Sequence, residues 1–199
     1  MPRQLCQDPL SLIVTPFTIV VVALQSAFMV AKILLTGRHA TNAVNANKYP
    51  ARIGLLQGLH AITIFLPFLW ALRLFDLLQF SLPLWLRWLA AFDYILVIAL
   101  MIWQMRSLSV NIAASHPGRY LVTSGPYRYL RHPLYLTLVV MPLDMWLLTA
   151  NWIFLVAFVP AGVASKLRAD YEEELLIVEY GEEYVRYQRT TGQLLPKCR

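Results

Sequence analysis

Charge is what this sequence has least of. Asp, Glu, Lys and Arg make up only 14% of its 199 residues, while 58% are hydrophobic; soluble domains carry roughly 25% charged residues. So little charge cannot cover a water-facing surface, which excludes an ordinary soluble domain. Cysteine is scarce too. Cys6 and Cys198 stand at opposite ends of the chain, no disulfide between them is expected, and no metal-ligand spacing exists. The glycines never occur as Gly-x-Gly, which excludes a dinucleotide-type phosphate loop. No internal repeat or low-complexity linker divides the chain, so residues 1–199 are read as one membrane domain.

What the chain does have is long apolar runs approaching the ~20 residues that cross a bilayer. They are Leu10–Leu35, Ile53–Leu72, Leu84–Trp103, and the shorter Leu134–Leu148 and Ile153–Leu167. The last two are separated only by Thr149-Ala150-Asn151-Trp152 and read as a tight helical hairpin. The first run is too long for a cleaved signal peptide, and only Arg3 precedes it. The expected fold class is an all-α integral membrane protein with about five transmembrane helices. Residues 1–103 would hold three spans, and residues 104–199 a polar loop, the hairpin and a C-terminal tail.

Basic residues orient the spans. Fourteen of the seventeen Lys and Arg fall near the end of the first span, in the segments after the first and third spans, or in the tail, leaving Arg3, Arg73 and Arg87 for the other side. Five spans with both basic loops and the tail in the cytoplasm satisfy the positive-inside rule at every loop. On that topology the two cysteines lie on opposite sides of the membrane. The net charge of +6 is then a topology signal, with anionic lipid headgroups as its partner. Basic residues spread over three segments without a binding motif exclude a nucleic-acid partner.

Chemistry is expected in the polar segments. Gln104–Pro133 contains Ser107, Ser109, Asn111, the His116-Pro117-Gly118 turn, and then Gly125-Pro126-Tyr127-Arg128-Tyr129-Leu130-Arg131-His132-Pro133-Leu134-Tyr135. Two prolines fix φ and restrict the residue before them, so no plain helix can form until after Pro133. A polar, aromatic-rich turn where the chain re-enters the membrane reads as half of a ligand site. The tail supplies the other half, with Glu172, Glu173 and Glu174 just beyond the last apolar run. Leu176, Tyr180, Tyr184 and Tyr187 follow at helical spacing, an amphipathic stripe suited to the membrane interface or to packing. Adjacent carboxylates near a headgroup layer repel one another and favour a bound cation.

Gly125-Pro126-Tyr127-Arg128, Arg131-His132-Pro133-x-Tyr135, Glu172-Glu173-x-x-Leu176, Gly181-x-x-Tyr184-x-x-Tyr187 and Leu195-Pro196 together resemble the isoprenylcysteine carboxyl methyltransferase family, part of a wider group that includes phospholipid amine methyltransferases. The likeness covers Leu121–Lys197; position 134 is Leu where the family often has Met, a volume-conserving change. It implies S-adenosylmethionine as methyl donor, bound without a Rossmann fold, by Tyr127, His132, Pro133, Tyr135, Glu172 and Glu173. Glutamates suit the donor's ammonium, and tyrosine faces suit positive charge at about 0.5–2 kcal/mol each. It further implies an acceptor carboxylate on a prenylated cysteine, held by Arg168 or Arg131, with Glu173 the third residue of the reacting centre. A compact five-span chain is similar to the prokaryotic form, in a cytoplasmic membrane; a eukaryotic one would sit in the endoplasmic reticulum.

Other readings compete. A phospholipid amine is the alternative acceptor. A sterol-type reductase would need a basic pocket for NADPH, against which the glutamates argue; a transporter subunit would show repeated or interrupted helices in matching halves, and no such symmetry is found; a non-catalytic scaffold is the other alternative. Glu172 and Glu173 could instead complement the dipole of a tail helix. Asp93, Asp144 and His60 fall inside the runs, where ionisable groups point to function or to pairing between helices.

Overall fold

The computed structural model describes residues 16–37, 51–113 and 121–197. Arg3, Arg38, Lys48, Arg119, the His116-Pro117-Gly118 turn and both cysteines lie outside these residues, as do the side chains of Arg52, His60, Ser109 and Asn111. The described residues form six α-helices: α1 Pro16–Gly37, α2 Ala51–Ala71, α3 Leu84–Ala113, α4 Pro133–Thr149, α5 Trp152–Tyr180 and α6 Glu182–Thr190. Short 3-10 turns at Asp76–Leu78 and Gly125–Arg128 complete the set. Among the described residues there is no strand beyond two isolated bridges.

Each of the first five helices overlays one apolar run. Three are long and apolar enough to cross a membrane: Pro16–Leu35, Leu84–Leu108 and Trp152–Tyr180. Helix α4 has 17 residues, short of that length, and α2 contributes the apolar stretch Ile62–Ala71. Local chemistry sets the ends of the hairpin. Pro133 occupies the first turn of α4, where its missing N–H leaves no helical bond unmade. Ala150 closes α4 in the left-handed region at φ 53°, and Asn151 caps α5 by accepting from the Ile153 amide at 3.1 Å.

One boundary differs from the sequence reading. Helix α5 does not end with its apolar run near Leu167; it continues unbroken to Tyr180. Ala, Leu, Glu, Lys and Arg are all strong helix formers, so loss of hydrophobicity marks where the helix leaves lipid and not where it stops. Gly181, at φ 54°, ends it. Glu172, Glu173 and Glu174 therefore sit mid-helix, where a dipole role has no basis; Glu182 and Glu183 take the first turn of α6.

The core joins α1, α3 and α4 through Phe17, Val21, Phe28, Tyr94, Met101, Met141, Met145 and Leu148, with Phe154 of α5 beside them. Gln25 is fully buried among these residues, but both ends of its amide are met: it accepts from Tyr94 Oη at 2.6 Å and donates to the Ile64 carbonyl at 2.7 Å. Asp144 is buried in α4, and its Oδ2 has no hydrogen-bond partner.

At one end of the bundle the α2–α3 connection wraps the hairpin tip. Gln79 Nε2 donates to Thr149 O at 2.6 Å, Asn151 Nδ2 to Phe75 O at 2.8 Å, and Arg87 Nε to Leu148 O at 2.9 Å. Phe80 packs at 4.7 Å from Trp152, an aromatic group suited to a membrane interface. The opposite end gathers the start of α4, the polar half of α5, α6 and the tail.

Candidate functional site

The Gly125–Arg128 turn begins the site. Gly125 adopts φ 61°, and a Cβ there would come within 2.8 Å of Ser107 Oγ on α3, so both the backbone angle and the space favour glycine. The turn carries the chain under α6, where Tyr187 Oη donates to the carbonyl of Tyr127 and lies 3.5 Å from that of Leu130. From there the main chain is tied to the tail. The Arg131 amide donates to Gly192 O at 2.8 Å and the His132 amide to Gln193 O at 3.1 Å, beside a parallel bridge between Leu130 and Gly192.

Side chains repeat the connection. Arg131 Nε meets Glu173 Oε1 at 2.7 Å, with the two side chains only 9% and 12% exposed. Arg131 Nη1 donates to the carbonyls of Gln188, at 3.2 Å, and Thr191. Gln188 Nε2 occupies the other oxygen of Glu173 at 2.8 Å. Arg131 is thus spent on the tail, and Glu173 on Arg131 and Gln188. Gln193 Nε2 adds a bond to Asp170 Oδ1 at 2.8 Å, and Asp170 also pairs with Lys166.

His132 sits between the two glutamates. Its Nδ1 is 3.8 Å from Glu172 Oε2 and its Nε2 is 3.4 Å from Glu173 Oε1. The ring is 6% exposed, stacks on Tyr135 at 5.5 Å, and its Nε2 has no hydrogen-bond partner. A buried polar atom without a partner is costly and marks a place for one. Glu172 is the more open carboxylate: Tyr135 Oη donates to its Oε1, and Arg168 Nε lies 3.3 Å from the same oxygen. Arg168 also faces the Tyr135 ring at 5.3 Å and is 37% exposed. Of the two arginines singled out in the sequence, Arg168 is the one that reaches solvent.

The tyrosine stripe packs into the protein. Tyr184 and Tyr187 are 1% and 8% exposed and meet edge to face at 5.9 Å. Burial, aided by the charge of Glu173, pushes both phenols above their ordinary range, and burial with the charge of Glu172 does the same for Tyr127. All three stay protonated at neutral pH. Behind the site Gln104 of α3 donates to Thr137 of α4 at 3.0 Å, both buried, and Thr137 Oγ1 donates back to Pro133 O at 3.2 Å.

The structure therefore brings Tyr127, Arg131, His132, Pro133, Tyr135, Arg168, Glu172 and Glu173 to one end of the bundle. Sequence reasoning missed Gln188, Thr191, Gly192, Gln193 and Asp170. Only the Thr191-Gly192 pair carried a turn signal; Gln188 and Asp170 are polar residues on helices and Gln193 one in the tail, with no local mark. Among the described residues no group of three or more His, Cys, Asp and Glu could hold a metal ion. The arrangement offers a carboxylate and stacked rings to a cation, and an open guanidinium to an anion.

Residues 86–178 match the family model for the isoprenylcysteine carboxyl methyltransferase (ICMT) family. The matched stretch spans nearly all of α3, the Gly125–Arg128 turn, α4 and α5 to two residues short of its end, and contains every residue gathered above except those of α6 and the tail. No curated protein matches the chain. The family similarity, together with the apolar helices, points to a membrane methyltransferase.

Proposed function

We propose that the protein transfers a methyl group from S-adenosylmethionine to the α-carboxylate of a C-terminal prenylated cysteine, at a site on the cytosolic face of a five-span bundle. The observation that carries this reading is the pair formed by His132, whose buried Nε2 lacks a partner, and the half-open carboxylate of Glu172 against Tyr135. When bound, the donor supplies a methyl on cationic sulfur, which becomes a neutral thioether once the acceptor oxygen has taken the methyl.

The residues fit such a ligand. Glu172 pairs with its ammonium, and the stacked Tyr135 and His132 rings offer faces to positive charge. His132 Nε2 has a hydrogen bond left to make. Glu173, saturated by Arg131 and Gln188, acts here as the anchor of Arg131 and α6 and not as the ammonium's partner. Arg131 anchors the tail, which leaves Arg168 to orient the acceptor carboxylate. That carboxylate has a pKa near 3.5, so it is already a nucleophile and needs no general base. What the site must contribute is dry, in-line placement, worth about 7–11 kcal/mol when geometry is good.

The test is transfer of labelled methyl to N-acetyl-S-farnesylcysteine, run beside phosphatidylethanolamine. Product with the first acceptor is expected; product with only the second assigns an amine acceptor instead. Glu172→Gln removes a charge-assisted hydrogen bond of about 1.5–3 kcal/mol, so S-adenosylmethionine should bind roughly 10- to 150-fold more weakly. His132→Ala should weaken it as well. Unchanged affinity in both variants would place the donor elsewhere.

A further inference from the structure

The connection between α2 and α3 is poorly suited to water. Its twelve residues, Leu72–Pro83, include seven Leu and Phe and only two charges, Arg73 and Asp76. Those two charges pair with each other at 2.7 Å. Leu72 is 69% exposed, Leu74 63% and Leu77 100%, and the patch runs on through exposed Leu84 and Trp85 at the start of α3. Contiguous apolar exposure of this kind marks a surface that meets something other than water.

The main chain indicates what covers it. Loops in water can leave their amides to solvent, whereas non-helical backbone at membrane depth must find its partners within the protein. Here the amides of Leu72, Arg73 and Leu74 donate back to carbonyls near the end of α2, at 3.2, 2.8 and 3.4 Å. Those of Leu78 and Gln79 donate to Phe75 O and Asp76 O, and that of Phe80 crosses to Ala150 O at 2.9 Å. The patch is also continuous with the exposed Trp88 and Leu89 of α3, a helix long and apolar enough to span.

Helix α4 sets the depth. Its 17 residues rise about 26 Å, short of the ~30 Å hydrocarbon core. A chain that enters at the site end therefore turns before it reaches the far headgroups. Carbonyls left over where α4 ends have no water to turn to at that depth. Each is met by protein: Leu148 O by Arg87, Thr149 O by Gln79 and Ala150 O by the Phe80 amide. Thr149, Ala150 and Asn151 are all buried.

We propose that residues 72–85 form a lid immersed in the membrane leaflet opposite the site, with Leu72, Leu74 and Leu77 among the acyl chains. The partner of this surface is lipid hydrocarbon, and the lid seals the sunken hairpin tip from water. The lid does not depend on which acceptor is methylated.

The experiment attaches a nitroxide to Leu77→Cys, and separately to Leu74→Cys, in the full chain carrying Cys6→Ser and Cys198→Ser, in phosphatidylcholine nanodiscs. Leu77 is wholly exposed, so a label there displaces no contact, and a melting temperature equal to that of the unlabelled chain checks this. Val159, exposed on a helix long enough to span, is the lipid reference, and Glu183, exposed on α6, is the aqueous one. Collisions with oxygen, which concentrates in the bilayer, are compared with those of a water-soluble nickel chelate. The oxygen-to-nickel ratio at both leucines should lie closer to that of Val159 than to that of Glu183. A ratio closer to that of Glu183 overturns the lid, because the connection then lies in water. Low collision with both reagents overturns it too, because another protein or a second copy of this chain then covers the leucines.

Discussion

Arg131→Ala is expected to detach the tail from the bundle and abolish methyl transfer. The change leaves the Glu173 carboxylate buried at 12% side-chain exposure without its full countercharge, with Gln188 and the His132 ring beside it. The carbonyls of Gln188 and Thr191 lose their donor in the same step. Removing one member of a buried pair costs about 3–5 kcal/mol, which for a chain of this size lowers the melting temperature by roughly 10 °C. Intrinsic tryptophan fluorescence of the solubilised protein would follow the melt, and limited proteolysis between Gly181 and Lys197 would report release of α6. A melt within a degree of wild type would show that the pair contributes nothing. The double variant Arg131→Met with Glu173→Leu separates fold from site. Apolar replacement of both partners is often neutral, so stability should largely return. Transfer should not, because His132 loses the carboxylate 3.4 Å from its Nε2.

That separation explains why some of this molecule is legible in the sequence and some is not. Apolar runs located five helices because lipid imposes a compositional rule on every residue that faces it. The hairpin tip was readable for the same reason, Thr149–Trp152 being the only interruption. Charged residues carry no such rule once a helix leaves the membrane, and so the extension of α5 to Tyr180 was not seen. The two halves of the site could be picked out as motifs because their residue types are unusual for a membrane chain. Their division of labour could not. Arg131 and Arg168 look alike in sequence, yet one is buried against three tail groups and the other faces solvent over Tyr135. Glu172 and Glu173 are neighbours on a helix, about 100° apart around its axis, and that rotation sends one toward Tyr135 and the other toward Arg131.

The tail residue with the least freedom is Gly192. A Cβ there would lie 1.8 Å from the Leu195 carbonyl oxygen and 2.9 Å from the Lys197 amide nitrogen. Both obstacles are backbone, so no rotamer change relieves them, and Gly192→Ala must open the turn over residues 192–197. Overpacking costs about 1–3 kcal/mol and occasionally more, and a contact with main chain belongs at the upper end. The damage should not stay in the turn. Gly192 O receives the Arg131 amide at 2.8 Å and Gln193 O the His132 amide at 3.1 Å, so the same turn fixes the two residues on which the site depends. Transfer should therefore fall at least roughly 100-fold, the equivalent of about 3 kcal/mol, while α1 to α4 keep their packing. Hydrogen exchange makes the distinction: amides of Arg131 and His132 should lose protection together, and those of α3 should retain it. If the variant exchanges like wild type yet has lost activity, the tail acts on catalysis by contact with ligand and not by holding the His132 loop in place.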